Sequence, residues 1–151
     1  MTYRDMLTND FTDPALQIAF RTYFEELGIR ITNWAGLFAE MAAGDDTVLV
    51  RRDQTGMVTG FIQFTTLDMS SWFFRARCGF IREFWIRADL RRRGHGSALL
   101  QQVEDRLRAQ DCMCALLTTD TAPAFYCKRG YTLQTRIEAQ NRDDVYMKLL
   151  T

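Results

Sequence analysis

Residues 79–100 read GFIREFWIRADLRRRGHGSALL, and the order of their parts decides the fold. Residues 79–87 are rich in aromatic and β-branched side chains, the composition of a strand. From Gly94 a helical pattern begins, with Leu99, Leu100, Val103 and Leu107 on one face, and runs to Ala109. Between them stands Arg91-Arg92-Arg93-Gly94-His95-Gly96. A helix N-terminus leaves backbone N–H groups unpaired at the positive end of its macrodipole. Glycines let a ligand approach the backbone closely. Arginines add fork-shaped donors suited to phosphate oxygens. A strand, a basic glycine turn and a helix therefore make a phosphate-binding turn. The competing reading is a solvated charge run. The turn is not a Walker A loop, because no Gly-Lys-Ser/Thr follows, nor a dinucleotide fingerprint, because the third glycine is missing.

Working outward, residues 113–119, MCALLTT, read as a buried strand. The strand–helix–strand passage from 79 to 119 then supplies a parallel crossover. Residues 122–128 form a short helix, and 131–137 with 144–150 a final antiparallel pair. Towards the N-terminus, 14–27 is a helix with Asp13 as N-cap, Pro14 at its first position and Gly28 as its stop. A second helix covers 32–43 and ends at Gly44. Strands 47–52 and 57–67 flank the hairpin turn Asp53-Gln54-Thr55-Gly56. Residues 70–78 fit either a strand extension or an aromatic loop. The expected class is α+β with a mixed sheet.

The 151 residues suit one domain, 1–151, large enough for a real core. Lys and Arg together number 19, as do Asp and Glu, so the broad basic face of a nucleic-acid binder is not expected. No stretch approaches the roughly 20 apolar residues of a membrane span. The N-terminus, MTYRDMLTND, has no apolar h-region, and the expected compartment is the cytoplasm. Cys78, Cys112, Cys114 and Cys127 contain no C-x-x-C pair, and the single histidine completes no zinc site with them. All four are read as reduced, and no metal is expected.

"FWIRADLRRRGHGSALL" resembles the signature of the GCN5-related N-acetyltransferases, the GNAT family. That family's acetyl-CoA loop is Arg/Gln-x-x-Gly-x-Gly/Ala after a strand, here Arg91 to Gly96. A second family motif, Ala-x-x-Phe-Tyr-x-Lys-x-Gly-Tyr/Phe, matches Ala122 to Tyr131. The resemblance is specific from about residue 79 to 131; before that it rests on element order alone. It departs at Ala88, where a proline is common, and at Thr119, where many members carry Asn. The implied fold is a largely antiparallel mixed sheet with a parallel splayed strand pair, flanked by about four helices.

The resemblance also implies a site. Arg91, Arg92, Arg93, Gly94, His95, Gly96 and Ser97 would cradle the pyrophosphate through backbone amides, with Arg92 and Arg93 touching only the 3′-phosphate. His95 fills the variable position and reads as a bystander. Backbone groups of Trp85 and Ile86 would pair with the pantetheine arm and hold the oxyanion. Thr119 and Lys128 would border the cofactor, Lys128 alternatively being solvated. Glu83, among apolar strand neighbours, would be the general base, with an ion pair to Arg82 or Arg77 as the alternative. Tyr126 would protonate the departing thiolate, with packing against CoA as the alternative. Tyr23, Phe24, Glu25, Glu26, Trp34 and Phe38 would border the acceptor or simply fill the core, and Trp72-Phe73-Phe74 would form a lid or a dimer contact.

The function that follows is transfer of an acetyl group from acetyl-CoA, wedged between the splayed strands, to a primary amine by direct attack in a ternary complex. The implied acceptor is a small amine-bearing molecule, with no nucleic-acid or membrane partner, and a homodimer is compatible. Two alternatives stay open: a non-catalytic CoA-binding sensor, and a transferase acting on protein- or RNA-bound amines.

Overall fold

A computed structural model describes residues 2–151. The elements follow in the order β1 (Arg4–Thr8), α1 (Pro14–Glu26), α2 (Trp34–Ala43), β2 (Thr47–Arg52), β3 (Val58–Asp68), β4 (Arg77–Ile86), α3 (His95–Ala109), β5 (Cys114–Thr119), α4 (Pro123–Cys127), β6 (Thr132–Gln134) and β7 (Asp144–Leu149). A 3-10 turn, Ala88–Leu90, lies between β4 and α3. The seven strands form one sheet in the order β1-β2-β3-β4-β5-β7-β6. β1 with β2, β5 with β7 and β6 with β7 are antiparallel; β4 with β5 is parallel. The α+β class, the four helices and the parallel pair agree with the expectation.

Local chemistry explains the ends. Asp13 Oδ1 accepts from Ala15 N at 3.0 Å, and Pro14 needs no partner at the first helical position. Asn33 caps α2 through Gly36 N at 2.9 Å. In the β2–β3 turn, Asp53 Oδ1 accepts from Thr55 N at 2.9 Å and Met57 N at 3.2 Å.

Two expectations need correction, and one left open is resolved. β1 was not foreseen. Residues 70–78 resolve into a loop, with strand beginning only at Arg77; Trp72 and Phe73 are fully exposed there. The cysteines are not all reduced: Cys78 and Cys114 form a disulfide, while Cys112 and Cys127 are free. The physical reason is register. Cys78 and Cys114 are direct partners across β4 and β5, with Cα atoms 5.1 Å apart, inside the bridging range.

The chain clusters into two compact units. The first holds the chain up to Gln63 and Glu83–Gln101. Its core is aromatic: Phe11, Phe20, Phe24, Phe38, Phe61 and Trp85 are buried together with Leu16, Met41 and Val48. Phe20 of α1 meets Phe61 of β3 at 4.3 Å between ring centroids, joining helix to sheet. The second unit holds Phe64–Arg82 and Gln102–Thr151, with Leu107, Ala115, Leu117, Tyr131 and Val145 buried. No helix among the described residues is long and apolar enough to cross a membrane.

Candidate active site

In the first unit, β4 delivers the chain to the basic turn. β4 is held to β3 as far as Arg87, whose N–H donates to Thr59 O at 2.8 Å. Gly60 permits this approach: a Cβ there would lie 2.7 Å from Ile86 Cδ1 and 3.1 Å from Trp85 O. After the 3-10 turn the backbone turns left-handed twice, at Arg92 (φ 64°) and Gly94 (φ 88°). Gly94 is the residue for which that conformation is free of steric cost; Arg92 adopts it against preference. α3 then starts at His95, its first helical bond running from Ala98 N to Gly94 O at 3.1 Å. The amides of its opening turn have no intrahelical acceptor, the condition for holding an anion.

The three arginines behave differently. All three are exposed. Arg91 is committed to protein: Nε donates to Ile86 O at 2.8 Å and Nη2 to Glu26 Oε2 at 2.6 Å. The same Glu26 oxygen accepts from Trp85 Nε1 at 3.1 Å. The Arg91 side chain is thus engaged within the protein, while the expected pyrophosphate cradle concerns the backbone amides of the run.

His95 makes structural contacts of its own. Arg51 Nη1 stands 2.9 Å from His95 Nδ1, and Tyr3 packs edge-on against the imidazole at 4.8 Å. Arg51 is itself held by Asp5 through bonds of 2.7 and 2.8 Å. A guanidinium only donates, so Nδ1 accepts and the neutral ring carries its proton on Nε2. Burial, then the positive charges of Arg51 and Arg93, push the imidazole pKa below its ordinary value. His95 thus ties the turn to β2 and, through Arg51, to β1.

On β4, Glu83 is half-buried and accepts a hydrogen bond from Tyr23 Oη of α1 at 3.2 Å. Arg77, one of the ion-pair partners weighed from sequence, points instead to Asp68 at 3.4 Å and Gln110 O at 2.8 Å. Glu26 was named from sequence only as an acceptor-pocket candidate. No sequence signal marked its bridge from Trp85 to Arg91.

In the second unit, Thr119 ends β5 and its Oγ1 accepts from Ala122 N at 3.1 Å, shaping the turn into α4. α4 carries Tyr126, which is 8% exposed; burial drives its phenol pKa well above the ordinary tyrosine range. Tyr126 meets Tyr131 edge-to-face at 5.7 Å. Tyr131 donates to the buried Glu104 at 2.8 Å, and Lys148 donates to the other oxygen of Glu104 at 2.8 Å. Phe125 is half-buried and lies under the Arg129 guanidinium at 3.8 Å. Lys128 is exposed. The parallel register runs from Cys78↔Cys114 to Ile81↔Leu117, and β4 continues beyond it to Ile86.

The family model described as "Acetyltransferase (GNAT) family" matches residues 4–131. None of the curated proteins compared with the chain matches it. Among solved structures, a GNAT-family acetyltransferase of Staphylococcus aureus Mu50 is 14% identical, with a TM-score of 0.75 over 99% of this chain and 100% of that one. The PaiA N-acetyltransferase of Thermoplasma acidophilum, in complex with coenzyme A, is 13% identical, with a TM-score of 0.69 over 99% of both chains. An aminoglycoside 6′-N-acetyltransferase complexed with coenzyme A is 14% identical, with a TM-score of 0.72 over 100% of this chain and 98% of that one. These three likenesses speak to the fold; the family model, which covers most of the chain, speaks to descent. The chain belongs to the GNAT family of acetyltransferases.

Proposed function

We propose that the protein transfers an acetyl group from acetyl-CoA to a primary amine of a small molecule, within a ternary complex. The observation that carries the reading is the turn from Arg91 to Ser97. It has two left-handed residues and leads into the unpaired amides of α3, directly after the strand that carries Glu83. The residues suit the donor. Exposed Arg92 and Arg93 sit beside those amides, and β4 runs on past its register with β5. In this reading Gly94, His95, Gly96 and Ser97 hold the pyrophosphate by backbone. Arg92, Arg93 and Lys128 reach the remaining phosphate, and Trp85, Ile86 and Thr119 border the pantetheine arm.

The chemistry balances as follows. Glu83, hydrogen-bonded to Tyr23, accepts a proton from the acceptor ammonium and passes it to solvent. The freed amine attacks the thioester carbonyl, and a β4 backbone N–H holds the oxyanion. As the C–S bond breaks, the intermediate's remaining excess proton passes to Glu83, Tyr126 gives a proton to the departing sulfur, and solvent then reprotonates the phenolate. Burial raises the Tyr126 phenol pKa and so weakens it as an acid in the free protein; the role rests on its place in the second family motif. Equal numbers of acidic and basic residues, with the exposed Glu25 near the end of α1, favour a small cationic acceptor.

The experiment is calorimetric titration with acetyl-CoA, followed by a free-thiol assay against polyamines, aminoglycosides, amino acids and short peptides. Binding with thiol release on one amine class is expected. Glu83→Gln should lower turnover about a hundredfold, and Tyr126→Phe about tenfold, both with acetyl-CoA affinity nearly unchanged. Binding without release on any amine would leave a CoA sensor, and no binding would reduce the turn to a solvated charge run.

A further inference from the structure

The reading of residues 91–97 as the acyl-donor turn leaves open what its first arginine does. We propose that Arg91 is a strut rather than a phosphate ligand, and that Glu26, the last residue of α1, is the positioning residue that holds it. Arg91 Nε reaches back to Ile86 O at 2.8 Å, closing the short span that contains the 3-10 turn. Its Nη2 bonds Glu26 at 2.6 Å, and Glu26 bonds the buried indole of Trp85 at 3.1 Å. Four residues from three places in the chain thus form one closed chain of bonds, Ile86–Arg91–Glu26–Trp85. It fixes where the turn leaves β4 before any ligand arrives.

Two consequences follow. The Glu26 carboxylate neutralises Arg91, so the positive charge offered to a pyrophosphate comes from Arg92, Arg93 and the α3 N-terminus. The Ile86 carbonyl already accepts one bond, leaving it a single further lone pair for a pantetheine amide. α1 also carries Tyr23, which bonds Glu83, so one helix holds both the donor turn and the carboxylate of β4.

A double-mutant cycle on the full chain separates the two roles. A strut predicts that Glu26→Gln and Arg91→Gln each weaken CoA binding about tenfold, and that the double variant is no weaker than the worse single one. A phosphate ligand predicts that Arg91→Gln alone weakens binding, while Glu26→Gln frees the guanidinium and leaves affinity equal or tighter; that result overturns the proposal. Nitrogen-15 spectra give a second readout that does not depend on affinity. The Arg91 Nε–H and Trp85 Nε1–H resonances should both move in Glu26→Gln, and CoA saturation of the wild type should not carry them towards those positions. Movement of the two resonances on CoA addition, towards their positions in Glu26→Gln, would show the latch released and overturn the strut. Failure of the wild type to bind CoA overturns the functional reading beneath it; CoA binding with uncoupled variants overturns this inference alone.

Discussion

Each unit holds a carboxylate between two donors, and the two arrangements differ in exposure. Glu104, in the second unit, keeps 2% of its side chain exposed and bridges the Tyr131 hydroxyl and the Lys148 ammonium. Glu26, in the first, keeps 36% exposed and bridges the Trp85 indole and the Arg91 guanidinium. Removing one partner of a buried charge pair strands the other without water. An exposed pair loses little, because water replaces what was removed. The lesson is a division of labour: the buried bridge carries stability, and the exposed bridge carries geometry.

The largest effect tests that division directly. Glu104→Ala should cost about 3–5 kcal/mol of folding free energy, because it leaves the Lys148 ammonium and the Tyr131 hydroxyl without their acceptor. Glu26→Ala should cost no more than about 1 kcal/mol. Urea unfolding of the two variants against the wild type measures both. Equal losses would break the comparison.

What could be read in advance follows the same line between local and distant chemistry. Asp13, Pro14 and Gly28 announced α1, since caps and stops act within a few residues of themselves. The Asp53–Gly56 turn announced its hairpin for the same reason. β1 gave no such signal: Arg4–Thr8 reads RDMLT, with two charged residues in five and no alternation. It is defined by its partner, Arg4↔Arg52 to Thr8↔Val48, at the edge of the sheet. The site divides likewise. The motif residues of the basic turn and of α4 were visible because their spacing is short. The Tyr23–Glu83 bond spans 60 positions and the Glu26–Arg91 bond 65, and no local pattern encodes either. The disulfide was misread for the same cause. Cys112 and Cys114 are neighbours in sequence, but the partner of Cys114 lies 36 residues away, chosen by register.

The disulfide sharpens the contrast at a middling magnitude. All four cysteines lie in the second unit, so it alone has a covalent clamp beside its buried charge bridge. A bond closing a span of this length contributes roughly 2–4 kcal/mol by restricting the unfolded chain. The Cys78→Ala/Cys114→Ala variant should lose that amount in urea unfolding. Thiol titration of the unreduced, denatured wild type should find two thiols, Cys112 and Cys127. Finding four would remove the clamp and bring the second unit closer to the first.

The smallest effect belongs to the first unit and comes from His95. Its ring faces the Arg51 guanidinium and the Tyr3 ring, with Asp5 behind Arg51 and Arg93 on its own turn. Burial and the two positive charges outweigh Asp5 and lower the folded-state pKa below the ordinary value of 6.5. The unfolded chain therefore takes up a proton first as the pH falls. The unfolded state binds more protons in that window, so stability must rise with pH across it. The contribution is fully present above about pH 6.5 and is lost as the pH drops towards the folded pKa. Melting temperatures of the wild type and His95→Gln, taken in steps from pH 7.5 to 5.5, isolate this term from the carboxylates common to both. The wild type should lose stability faster than the variant on the acid side, and by less than either clamp of the second unit provides. Parallel curves would mean that protonation breaks nothing at Nδ1. The bond between His95 and Arg51 would then add nothing measurable to stability.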